Sequence, residues 1–137
     1  MIASLAALAL QAAAPEPAWQ SLGVHGGIET AFDPASVSAE NGRIRVRIRG
    51  VRQTAGTDGF RTATGTAEID CVTGTSVALD LKAYDAEGRL VLNAIVPAAD
   101  RRPEPIRPDS PNAAVRAAVC QGRRQDSGAA GRGSSKE

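Results

Sequence analysis

The chain holds few residues able to do covalent or metal chemistry. Its single histidine, His25, is the one side chain whose ordinary pKa lies near neutrality. It stands beside Gly26-Gly27 in a turn, with no Ser or Cys arranged near it in sequence as a nucleophile, and reads as an ordinary exposed turn residue. The two cysteines, Cys71 and Cys120, are too few, with one His, for most metal centres built from those ligands. Neither a metal site nor a cofactor is expected. The carboxylates Glu68, Asp70, Asp80 and Asp85 could in principle form an acid/base pair. Small sheets carry such residues on a solvated face, however, and nothing in the spacing sets their separation. No catalytic residue is assigned, and the chain reads as a non-enzyme.

The arginines say more. Residues 43 to 49 run Arg-Ile-Arg-Val-Arg-Ile-Arg, a period of two that defines a strand with Ile44, Val46 and Ile48 on the core side. A hairpin closed by Gln53 to Gly59 sets Arg43 opposite Asp70, Arg45 opposite Glu68 and Arg47 opposite Thr66, because register must keep the isoleucines inward. A tight turn at Val72-Thr73-Gly74 then sets Thr66 opposite Asp80 and Thr64 opposite Lys82. Positive charge is left in excess at Arg47, Arg49 and Lys82. Guanidinium groups take carboxylates bidentately, so an acidic protein or glycan is the partner this end would fit. The competing reading is a solvated face whose charge pairs contribute only about 0.2–1 kcal/mol each.

These residues sit in a chain of 137 residues, long enough for one domain. Sixteen basic against fifteen acidic side chains leave a net charge of +1, which argues against a nucleic-acid binder. Only four residues are aromatic and alanine is abundant, so the core is thin. Residues 1–14 read as a signal peptide: Ile2 to Leu10 is apolar except for Ser4, and Ala12-Ala13-Ala14 offers a small-x-small cleavage pattern. No Lys or Arg precedes the apolar run. It is too short to span a hydrocarbon core roughly 30 Å thick, and no lipid-accepting Cys follows it. The competing reading is an Ala-rich tail. Export places the chain in the periplasm, at the cell surface or outside the cell. In such an oxidising compartment an even cysteine count implies a Cys71–Cys120 disulfide, whose loop of about fifty residues is worth about 4 kcal/mol. Two buried free thiols in a cytosolic protein are the alternative.

The elements follow from alternation and punctuation. Strands are read over 19–24, 28–33, 43–49, 62–71, 75–84 and 89–96. Asn41-Gly42 is a type I′ turn pair, and a bulge at Gly50 would account for Val51 falling on the wrong parity. Val77, Leu79, Leu81 and Ala83 are placed inward together. Five prolines between Pro97 and Pro111 exclude a helix or an interior strand and mark an extended crossing segment. Ser110-Pro111 then starts a helix to Cys120, with Ser as N-cap and Gly122 as its stop. Residues 123–137 read as a disordered tail, leaving a domain over 15–122. Short turns throughout make the sheet antiparallel.

The order of Trp19, Phe32-Asp33 with Ser36-Val37, Gly42 before an alternating strand, and Ile69-Asp70-Cys71 resembles the surface-adhesin protein E family. So do Tyr84-Asp85-Ala86-Glu87-Gly88-Arg89, Ile106-Arg107-Pro108-Asp109-Ser110 and Val119-Cys120. The resemblance runs over residues 19 to 120. It implies an exported envelope protein with an α+β fold, in which an antiparallel sheet is crossed by a C-terminal helix joined to it by a disulfide. The chain departs from the pattern in lacking a lipid-accepting Cys and in having Arg102-Pro103 where an aromatic precedes Ile106. The expectation is therefore an α+β domain of about six strands that acts through protein contacts. A periplasmic small-ligand carrier or inhibitor is the alternative, favoured by any cavity lined by Leu79, Leu81, Leu90 and Leu92. Partner identity and oligomeric state are not readable from the sequence.

Overall fold

The strict alternation of the arginine run organises the sheet. In the structure, a computed structural model that describes residues 17–54 and 59–121, this run is the long strand β4 (Arg43–Arg52). Before it come β1 (Gln20–His25), β2 (Ile28–Phe32) and β3 (Ser38–Glu40). After it come β5 (Thr62–Asp70), β6 (Thr75–Tyr84), β7 (Leu90–Ile95) and β8 (Glu104–Pro105). All pairings are antiparallel, in the order β1-β2-β4-β5-β6-β7, with β3 added to β4 and β8 to β6. The export segment read over 1–14 and the tail read over 123–137 lie outside the described residues.

Eight strands stand where six were expected. The two extra ones are short: Ser-Ala-Glu at β3 has no apolar alternation, and β8 carries Pro105, tolerated because it lies at a sheet edge. The Asn41-Gly42 turn is as read, with φ of 52° and 75°. No bulge forms at Gly50. Pairing of β4 runs unbroken to β2 and β5 on either side, and a Cβ at Gly50 would stand 2.9 Å from Ile28 Cγ2. Gly50 is there to let Ile28 approach, and Val51 simply continues the arginine side.

The irregularity lies instead in β6. Its register to β5 steps between Thr66↔Asp80 and Ala67↔Ala78, leaving Leu79 as an extra residue. A bulge of this kind exchanges the two faces of a strand. Val77 thus pairs with Glu68, while Leu81 and Ala83 pair with Gly65 and Ala63 on the helix side. The four residues do not share one face, and Leu81 is 39% exposed. The Asp80 carboxylate takes the Thr66 N–H, 3.0 Å away, at the interruption.

A helix, α1, spans residues 111–121. Ser110 Oγ accepts the Ala113 N–H, so the N-cap is as the sequence implied; Gly122 lies outside the described residues. Val115 on its inner face is fully buried against Phe32, Ile44, Val46 and Ile69. The Cys71–Cys120 disulfide, with a Cα–Cα distance of 5.7 Å, ties the end of α1 to the end of β5. Arg116 adds a second tie by donating to the Cys71 carbonyl at 3.0 Å.

Candidate functional site

The side of the sheet opposite α1 presents Arg43, Arg45, Arg47 and Arg49 from alternate positions of β4. Their cross-strand neighbours on β5 are Asp70, Glu68, Thr66 and Thr64, and Thr66 and Thr64 are followed on β6 by Asp80 and Lys82. Each of the cross-strand pairs deduced from the sequence is present.

The two ends of this row are treated differently. At one end Glu68 serves two arginines: Arg45 donates to it at 2.8 Å, and Arg43 stands 3.8 Å away. That bond holds the Arg45 guanidinium above its ordinary pKa. Asp70 directs Oδ1 to the N–H groups of Val72 and Thr73, closing the turn after β5. The Thr73 N–H is the chief reason its pKa lies below the usual carboxylate value. Asp80, as noted, is committed to the backbone of Thr66.

At the other end Trp19 takes the place of an acid. The Arg49 guanidinium lies 5.1 Å and that of Arg47 5.9 Å from the indole centroid, within the range of a cation–π contact. Arg49 Nε is buried without a hydrogen-bond partner. Lys82 is exposed on the same side, two strands from Arg49. A ring face attracts a cation without occupying the N–H groups at the guanidinium edge, so Trp19 orients these arginines without competing for their donors. Sequence reasoning placed Arg47, Arg49 and Lys82 together but missed the contact of Trp19 with the arginines, using that residue only to start a strand and to open the family resemblance. Its residue type is the one signal that could have pointed there, since Trp is the best cation–π acceptor among side chains.

The other candidates are placed as follows. His25 is half-buried rather than exposed, because its Nε2–H donates to the Leu22 carbonyl at 2.7 Å. Asp85 accepts the N–H groups of Glu87 and Arg89 and the side chain of Arg89, and the Arg89 backbone bond chiefly lowers its pKa. Among the described residues no three His, Cys, Asp or Glu side chains gather as metal ligands, and both cysteines are in the disulfide. Leu79 is buried, whereas Leu81 and Leu90 are exposed.

Residues 19–121 match the family of surface-adhesin protein E. The chain belongs to the surface-adhesin protein E family. Among solved structures, this family member is similar to crystal form II of Haemophilus influenzae protein E, with 12% identity over 72% of this chain and 91% of that one and a TM-score of 0.47. It is likewise similar to protein E from non-typeable Haemophilus influenzae, at 10% identity over 74% and 75% of the two chains and a TM-score of 0.47. No curated protein matches it. Among the described residues of this adhesin-E domain, no helix is long and apolar enough to cross a membrane.

Proposed function

We propose that this adhesin-E-family domain, spanning 15–122, is exported to the periplasm or cell surface and works by protein contact rather than by catalysis. Its contact region is the Trp19 end of the arginine face. The observation that carries this reading is the contrast along β4. Arg43 and Arg45 share the carboxylate of Glu68, whereas Arg47 and Arg49 have an indole for a neighbour. With Lys82 they form a cationic group suited to several carboxylates of an acidic protein or glycan. Support for a non-catalytic role comes from the disulfide, which removes both thiols as nucleophiles, and from the commitment of the His25 ring to a backbone carbonyl.

Single exposed ion pairs are weak, so binding depends on several acting together and weakens with salt. The test is a pull-down from envelope extract with the full chain and with Arg47→Ser/Arg49→Ser, at low and at moderate salt. The intact chain is expected to retain an acidic partner at low salt and lose most of it at moderate salt, and the double variant to retain little in either. Equal retention by both proteins, with circular dichroism showing both folded, would overturn the assignment.

A further inference from the structure

Residues opposite each other on neighbouring strands share a side of the sheet, so the arginine face divides into rows that run across the strands. Four rows start at an arginine of β4. From β4 through β5 to β6 the first holds Arg43, Asp70 and Thr75, and the second Arg45, Glu68 and Val77. The third holds Arg47, Thr66 and Asp80, and the fourth Arg49, Thr64 and Lys82. Each of the first three contains a carboxylate, and the fourth contains none. The fourth row continues onto β7 at Asn93, opposite Lys82. Arg49, Thr64, Lys82 and Asn93 thus form a path of hydrogen-bond donors over four strands, with Lys82 and Asn93 exposed.

Acids stand on both sides of this path. Asp80 lies in the row on one side, and Glu29 in the row on the other, opposite Val51. Both repel an anion, so an anionic ligand is kept to the path and runs across the strands rather than along β4. Neighbouring strands are about 4.8 Å apart, which sets Lys82 about 10 Å from Arg49 along the path, with the neutral Thr64 hydroxyl between them. Cations at this separation, with neutral donors between and beyond, complement a linear molecule whose anionic groups alternate with hydroxyls. A polysaccharide bearing uronate or sulfate has that pattern. An acidic protein fits less well, because protein partners are anchored by bulky apolar and aromatic side chains packed against their like. From β4 to β7 the path holds no apolar side chain.

We infer that Arg49, Thr64, Lys82 and Asn93 bind a linear anionic polysaccharide laid across the strands, with Trp19 at one end of the path. The inference rests on the cationic contact region proposed above and names its ligand class. Arg49 and Lys82 take the carboxylate or sulfate groups, the guanidinium bidentately. Thr64 and Asn93 exchange hydrogen bonds with the sugar hydroxyls between and beyond those groups. Trp19, whose ring centroid is 5.1 Å from the Arg49 guanidinium, holds that cation in place at the end of the path. Each contact is solvated and weak, so affinity depends on several acting together and falls with salt.

Calorimetric titration of the full chain tests this with three probes matched in number of negative charges: a heparin oligosaccharide, a hyaluronan oligosaccharide and poly-glutamate. At low salt the better sugar should bind about tenfold more tightly than poly-glutamate, the margin that two added hydrogen bonds supply. Which sugar is better separates sulfate from uronate as the favoured group. Its binding should also shift the fluorescence of Trp19, the single tryptophan of the chain. Thr64→Val and Asn93→Ala leave the charge unchanged, and each should weaken the sugar about fivefold without altering poly-glutamate binding or the circular dichroism spectrum. Arg43→Ser, in a row that holds an acid, should leave sugar binding as it is. The inference is overturned if neither sugar binds, if poly-glutamate binds as tightly, if both neutral variants leave sugar binding unmoved, or if Trp19 emission does not respond. In each of those cases the cationic contact region still stands. If Arg47→Ser/Arg49→Ser leaves the binding of every probe unchanged, that region falls as well.

Discussion

The two halves of the sheet are built to different standards. Around β4 and β5 the side facing α1 is closed: Ile44, Val46 and Ile69 are buried against Val115, and the disulfide and Arg116 hold the helix in place. Val77, Leu79 and Ala83 of β6 are still buried, but toward β7 the same sheet opens. Leu81 and Leu90 are exposed, Ala78 faces solvent, and Ile95 stands 76% clear of its neighbours. A chain with four aromatic residues and one helix of about three turns can close only part of an eight-stranded sheet. Stability is concentrated where the helix lies, and part of the remaining sheet surface stays exposed.

The largest test of that contrast is the disulfide. Its 49-residue separation corresponds to about 4 kcal/mol of loop-closure entropy. Reducing it, or replacing Cys120 by Ala, should lower the Tm by on the order of 15 °C or more. A drop of only a few degrees would mean that α1 is held by packing alone. Core packing comes next. Ile69→Val, which removes one carbon from the closed half, should cost about 1 kcal/mol, whereas Leu81→Ala, which removes three from the open half, should cost within about 0.5 kcal/mol. Denaturant midpoints that reverse this order would show the open half to be structurally essential.

The smallest effect concerns the turn after β5, where the closed half meets the disulfide. The pKa of Asp70 is held below its ordinary value by the Thr73 N–H. A carboxylate lowered in this way stabilises the fold above its unfolded-state pKa, and that stabilisation disappears as pH falls through the folded-state value. Acidification below the usual carboxylate range should therefore lower the thermal midpoint, and Asp70→Asn should flatten part of that slope while leaving neutral pH mildly destabilised. An unchanged acid slope in the variant would shift the acid response to Asp85, whose pKa is lowered by Arg89.

The arginine face was legible because register propagates. The period of two in β4 and two short connections sufficed to set Arg45 opposite Glu68 and Thr64 opposite Lys82. The faces of β6 were not legible. Val77, Leu79, Leu81 and Ala83 have the pattern of an unbroken amphipathic strand, yet the bulge at Leu79 places Val77 with Glu68. A bulge costs one unpaired residue, here repaid by the Asp80 carboxylate at the Thr66 N–H, and no local residue type announces it. Gly50 shows the reverse case. It broke the apolar alternation and suggested a bulge, but its cause is the side chain of Ile28 one strand away.

Local chemistry alone determined the strand alternation, the Asn41-Gly42 turn, the Ser110 cap and the pairing of the two cysteines. Each depends on backbone preferences or on the count of one residue type, which are properties of a few neighbouring positions. Tertiary structure decided where charge remains unneutralised. Asp70, Asp80 and Glu68 look equally able to pair with arginine in the sequence, but two of them are drawn to backbone N–H groups that only the folded turn and bulge expose. Trp19 reaches Arg47 and Arg49 only because β1 and β2 fold back along β4. Contacts between residues about thirty positions apart depend on the whole sheet being formed, and local residue preferences carry no record of them.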